Sequence, residues 1–187
     1  GGNFMLVERR YDRDRAVAYA REWAMARNPL FIDYTGFGGD CTNFVSQCLF
    51  AGSCRMNFTP VFGWYYLDAD SRTASWTGVQ YFCDFLTSNR GEGPYGAETD
   101  ETNLRVGDVV QLQNADGTYY HTLLVSGFDA AGGILVAAHS NDAYDRPLST
   151  YTYAAARFLQ VSGVRVELDV STGSCFYDLI GGIAIRA

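Results

Sequence analysis

Lysine is absent: all 14 basic residues of this 187-residue chain are arginine, scattered against 21 acidic residues for a net charge of −7. No basic stripe interleaves with aromatics, so no nucleic-acid partner is expected. No apolar run approaches the roughly 20 residues needed to cross a bilayer, so no membrane span is expected either. Gly1–Arg10 holds only the short apolar patch Phe4–Val7 with no charged stretch before it, and no signal peptide is expected there. Histidine occurs twice. The five cysteines, Cys41, Cys48, Cys54, Cys83 and Cys175, form no Cys-x-x-Cys pair and meet no zinc spacing with the histidines, so neither a metal nor a cofactor is expected. Their odd number leaves at least one free thiol, and reduced thiols are the simpler expectation.

Aromatic residues are plentiful, with 13 Tyr and 12 Phe, enough to build one apolar core over a single domain spanning 1–187. Asp12 is placed to cap a helix over Arg13–Arg27 that Asn28-Pro29 ends. A loop with Gly36, Gly38 and Gly39 then feeds a short apolar helix from Cys41, stopped by Gly52, with Asp40 as its N-cap candidate. A third helix is expected over Trp76–Ser88, and residues 89–103 read as a loop. From Leu104 the period changes to two: strands Val109–Gln113, Thr118–Phe128 and Ile134–Ser140, a polar loop Asp142–Thr150, a helical turn near Tyr153–Phe158, and closing strands Val161–Val170 and Ile180–Ile185. N-terminal helices packed on an antiparallel sheet make an α+β fold.

A cysteine in the first turn of a helix meets unpaired amide N–H groups that favour its thiolate, the nucleophilic form. On the later strand, Tyr119, His121, Leu123 and Val125 are expected on one core-directed face, which brings His121 inside as a candidate base. His139 and Asn141, two residues apart, are rival candidates for orienting its far nitrogen.

The segments Tyr11–Ala20 and Gly39-Asp-Cys-Thr-Asn-Phe-Val-Ser-Gln47, with Leu104–Leu112, His121–Ser126 and His139-Ser-Asn-Asp142, resemble the putative amidase domain of bacterial proteins, over about residues 10–167. The resemblance extends to NlpC/P60 peptidases and CHAP amidases. It implies a compact papain-like fold and hydrolysis of an amide through a Cys41 acyl-enzyme, with His121 as acid and base and His139, or alternatively Asn141, as orienting group. Asp40, Tyr34 and Asn43 are then candidates to line the site. Trp64, in the aromatic loop Phe62–Tyr66, is a further candidate at its rim. The implied substrate is a peptidoglycan stem peptide or another short peptide, and the implied location is the bacterial envelope or exterior. The tail 168–187 has no counterpart in the resemblance. A peptide-binding module without turnover and a thiol-dependent acyltransferase are the competing functions.

Overall fold

The computed structural model describes residues 5–168 and 170–187. Its elements run β1 (Leu6–Arg9), α1 (Arg13–Trp23), α2 (Cys41–Ser53), β2 (Tyr66–Asp68), β3 (Ser71–Arg72), α3 (Ala74–Thr77), α4 (Val79–Ser88), β4 (Gly93–Thr99), β5 (Val109–Gln113), β6 (Tyr119–Phe128), β7 (Ile134–Ala138), β8 (Ala143–Pro147), β9 (Ala155–Glu167) and α5 (Cys175–Ile180). The fold is α+β. An antiparallel sheet of order β1-β9-β5-β6-β7-β8, with β4 added on β9, carries the helices, while β2 and β3 form a separate hairpin.

The sheet is apolar on both faces because successive side chains alternate. Val109, Leu124 and Ala137 join the larger core with α1, α2 and α4. Their neighbours Val110, Leu123 and Val136 join a smaller core with Leu104 and Leu148. Helix α2 runs through the larger core with all 13 residues buried, so it needs apolar residues all round rather than a stripe. Its polar side chains are each bonded: Ser46 donates to the Trp76 carbonyl at 2.9 Å, and Tyr19 donates to Gln47.

Several boundaries differ from expectation for local reasons. Asp12 does cap α1, accepting from the Arg15 amide at 3.1 Å. The helix ends at Trp23, not Arg27, because the Trp23 carbonyl is taken by His139 at 2.8 Å and by the Ala26 amide. Gly52 does not stop α2; a Cβ there would lie 2.5 Å from the Tyr11 ring and 2.7 Å from the Asp12 carbonyl, so glycine is required by close packing. The expected third helix is two, α3 and α4, broken at Gly78, whose backbone is extended. Residues 93–99, expected as loop, form β4. Pro94 is tolerated there because β4 pairs on one side only, with β9. The polar loop Asp142–Thr150 contains β8 and a 3-10 turn, and the expected helical turn near Tyr153–Phe158 runs into β9. The tail forms α5 ahead of Ile180–Ile185, and that segment, expected as a strand, holds only the helix's last residue and the turns after it.

The expectation of reduced thiols fails at one pair. Cys54 and Cys175 form a disulfide across 121 residues, which ties α5 to the end of α2. Cys41, Cys48 and Cys83 are free and buried.

Candidate functional site

The chain approaches Cys41 through a tight turn in which the Phe37 and Gly39 amides both donate to the Tyr34 carbonyl. Gly36, Gly38 and Gly39 all have φ between 85° and 100°, a backbone region closed to most side chains. Asp40 occupies the N-cap position of α2, but its carboxylate makes no cap hydrogen bond. It accepts instead from the Tyr34 amide at 2.8 Å and the Asn43 side chain at 2.9 Å, and it bonds His139 Nδ1 at 2.5 Å. The first backbone bond of α2 runs from the Phe44 amide to the Asp40 carbonyl. That leaves the Cys41, Thr42 and Asn43 amides without intrahelical acceptors, as at any helix start.

On β6, Thr122 faces α2, its hydroxyl 2.8 Å from that of Thr42. His121 lies on the opposite face with Leu123 and Val125, which belong to the smaller core. The register slips here: Leu112 pairs with His121 but Gln113 with Tyr119. Tyr120 is therefore a bulge residue, a device that re-aims side chains beside a site. Cys41 and His121 line one cavity of about 390 Å³, together with Gly39, Asn141, Arg146 and Tyr151.

Each of the two side chains is only 7% exposed, and burial sets their charge. It pushes the Cys41 thiol up, against weaker pulls from the Thr122 amide and Thr42. It also pulls the His121 imidazole down to about 4, aided by the nearby Arg146 charge. Removal from water penalises the charged form of both groups. Burial thus favours a neutral thiol and a neutral imidazole in the resting site and opposes the thiolate that the helix end was expected to favour. Neither ring nitrogen of His121 bonds another described residue.

The remaining candidates divide. Asn141 lines the cavity. His139 does not orient His121, because Asp40 and the Trp23 carbonyl take its two ring nitrogens, and its ring stacks on Phe44 at 4.1 Å. Asn43 is fully engaged, donating to the Ile32 carbonyl and Asp40 and accepting from Trp76 Nε1 at 3.0 Å. Tyr34 lies under Arg72, 5.0 Å from its guanidinium, and its hydroxyl is buried without a partner among the described residues. Trp64 is fully buried, 4.5 Å from Trp76, so it cannot flank a cleft.

Residues 10–161 match the family described as "Putative amidase domain". The chain belongs to this family. The uncharacterized protein YhbB of Bacillus subtilis (strain 168) is 32% identical over 145 residues, covering 76% of this chain and 45% of that protein. The uncharacterized protein YjcM of the same organism is 28% identical over 163 residues, covering 83% and 37% respectively. The chain thus spans less than half the length of these curated relatives. No solved structure matches it at a significant level.

The matched amidase domain takes in every cavity residue named above. Family membership points to amidase-type hydrolysis. Among the described residues no helix is long and apolar enough to cross a membrane, and no group of three or more His, Cys, Asp or Glu is placed to hold a metal. A larger hollow of about 570 Å³ beside Arg10, Arg13 and Arg105 holds neither cysteine nor histidine. Two features of the site escaped the sequence reading. Arg146 was hidden in a stretch taken as a polar loop, its one signal being a cation in an acidic chain. The Asp40–His139 bond joins residues 99 apart, for which the sequence carries no signal.

Proposed function

We propose that this amidase domain is a cysteine-dependent amide hydrolase, with Cys41 as nucleophile and His121 as general base and acid. The observation that carries this reading is that a cysteine in the first turn of α2 shares one cavity with a histidine whose ring nitrogens bond no other described residue. Because both groups rest neutral, the thiol proton passes to His121 as sulfur attacks the carbonyl, rather than beforehand. The Cys41 amide, unbonded at the helix start, is available to the developing oxyanion. His121 then protonates the departing amine as the C–N bond breaks. In the second half it takes a proton from the water that opens the thioester and returns it to sulfur. Asn141, in the cavity wall but not bonded to His121 in the resting site, would take the orienting role once substrate closes the cleft, and His139 positions the nucleophile loop through Asp40.

The proposed substrate is a peptidoglycan stem peptide or a related short peptide. The supports are the resemblance to NlpC/P60 and CHAP enzymes, with their papain-like fold, and a cleft whose walls are largely polar. The Cys54–Cys175 bridge supports a site of action outside the cytosol, where disulfides persist. The test is incubation of muropeptides with wild type and Cys41→Ala, with products read by mass spectrometry. Cleavage by wild type alone is expected, and equal product from both would remove Cys41 from the mechanism. Added amines appearing in the product would reassign the same thiol chemistry to acyl transfer.

A further inference from the structure

Charge in the Cys41–His121 cleft is distributed unlike charge in the rest of the chain. The chain holds 21 acidic residues, yet none lines this cavity, and its one ionised side chain is Arg146 on β8. Two other arginines meet carboxylates, Arg13 reaching Asp108 at 2.7 Å and Arg27 reaching Asp142 at 2.9 Å, while the buried Arg157 donates to the side-chain oxygens of Gln111 and Gln80. Arg146 has no carboxylate within 4 Å among the described residues. The neighbouring Asp145 turns away, with φ at +55°, and accepts from the Ser126 hydroxyl at 2.7 Å.

The Arg146 side chain is nonetheless held. Its Nε donates to Thr150 Oγ1 at 2.7 Å and its Nη2 to the Thr150 carbonyl at 3.1 Å. The guanidinium carbon sits 3.8 Å from the centre of the Tyr151 ring. This clamp fixes the plane of the fork before any ligand arrives, so little side-chain entropy remains to be lost on binding. Its Nη1 has no acceptor among the described residues. The Tyr151 hydroxyl is buried beside it, within reach of the Arg146 charge. A preorganised, uncompensated guanidinium with a spare donor matches a carboxylate in shape and charge.

We propose that Arg146 is a specificity-determining residue of this cleft, binding a carboxylate that the amide substrate carries close to the bond cleaved. This rests on the amidase reading above and narrows its substrates to N-acyl amino acids and peptides with a free carboxylate beside the scissile amide. Neutral or cationic amides of the same size are disfavoured, because they leave the guanidinium desolvated and unpaired.

The test uses binding, so that it does not depend on turnover. N-acetylglycine and N-acetylglycinamide, differing in one carboxylate, are titrated into the Cys41→Ser protein while the His121 ring resonances are followed. The acid is expected to bind about tenfold or more tightly than the amide, the scale of one charge-assisted hydrogen bond. Arg146→Gln is expected to abolish this preference and Arg146→Lys to keep part of it, whereas a merely structural clip on Thr150 would change the melting temperature and leave the preference intact. Equal binding of acid and amide, no binding of either, or a preference surviving in Arg146→Gln overturns the proposal. Failure of the amidase reading shows separately, as wild type cleaving neither class of peptide while the acid preference persists.

Discussion

His139 Nδ1 lies 2.5 Å from a carboxylate oxygen of Asp40, the residue directly before Cys41. This contact pins the glycine turn carrying the nucleophile candidate to the end of β7. The other Asp40 oxygen holds the Tyr34 amide and the Asn43 side chain, so one buried carboxylate ties the turn, α2 and the sheet together. Arg27 Nε adds a longer approach at 3.7 Å.

Removing one end of this contact leaves a buried acceptor unpaired and a hole beside Phe44. His139→Ala is expected to cost about 2–4 kcal/mol in urea unfolding. Activity should also fall, through displacement of the turn, even though His139 does not line the cleft. Amide hydrogen exchange at Gly38 and Gly39 should quicken in the variant. A cost below about 1 kcal/mol with unchanged exchange would show that the bond is incidental.

His121 should make stability depend on pH in one direction. Its imidazole falls to about 4 in the folded protein from an ordinary value of 6.5, so the unfolded chain binds the proton more readily. Between these values the unfolded state carries more protons, and stability rises with pH until it levels above about 6.5. The full effect is on the order of 3 kcal/mol. Urea unfolding from pH 4 to 7 should show this rise, and His121→Gln should flatten it. The same depression predicts an acid limb of kcat/KM well below the ordinary histidine range.

Burial of Cys41 makes a kinetic prediction. Because its thiol is pushed up, iodoacetamide should modify the free protein more slowly than a model thiol at pH 7, with a rate still climbing beyond pH 9. Fast alkylation that is level across neutral pH would instead mean an ion pair with His121 in the resting site, and proton transfer ahead of attack.

The sequence was most legible where local chemistry alone decides the structure. Asp12 announces α1, and the alternation of Val109–Gln113 and of the segment ending at Phe128 gives β5 and β6. Cys41 as a first-turn residue follows from Asp40 before it, which does occupy the N-cap position. Legibility failed where a tertiary partner decides. Gly93-Pro94 reads as loop and becomes β4 only because β9 offers an edge. His139 and Asn141 were expected to face one way, as two residues apart on a strand do. Ser140 and Asn141 instead have φ of 65° and 63°, which breaks the alternation and sends His139 to Asp40 and Asn141 to the cavity. Trp64 looked like a rim residue because loops with aromatics suggest surfaces, but its indole donates to Ser46 of the fully buried α2 at 3.2 Å.

The Cys54–Cys175 bridge joins the left-handed residue that ends α2 (φ 46° at Cys54) to the first residue of α5. Closing a loop across 121 residues restricts the unfolded chain, which on chain-entropy grounds stabilises the fold by about 2–5 kcal/mol. Cys54→Ser with Cys175→Ser, or reduction by dithiothreitol, should therefore lower the urea midpoint substantially. The Cys41 cleft lies at the opposite end of the 13-residue α2, about 20 Å away along the helix axis. The bridge thus acts on global stability rather than on the chemistry: the double variant should keep its kcat under conditions where it is folded. A loss of kcat in protein still folded by circular dichroism would instead couple the tail to the site through α2. Stability unchanged on reduction would mean that α5 holds its place by packing alone, with Leu179 fully buried and Trp23 Nε1 donating to the Ile180 carbonyl at 2.9 Å.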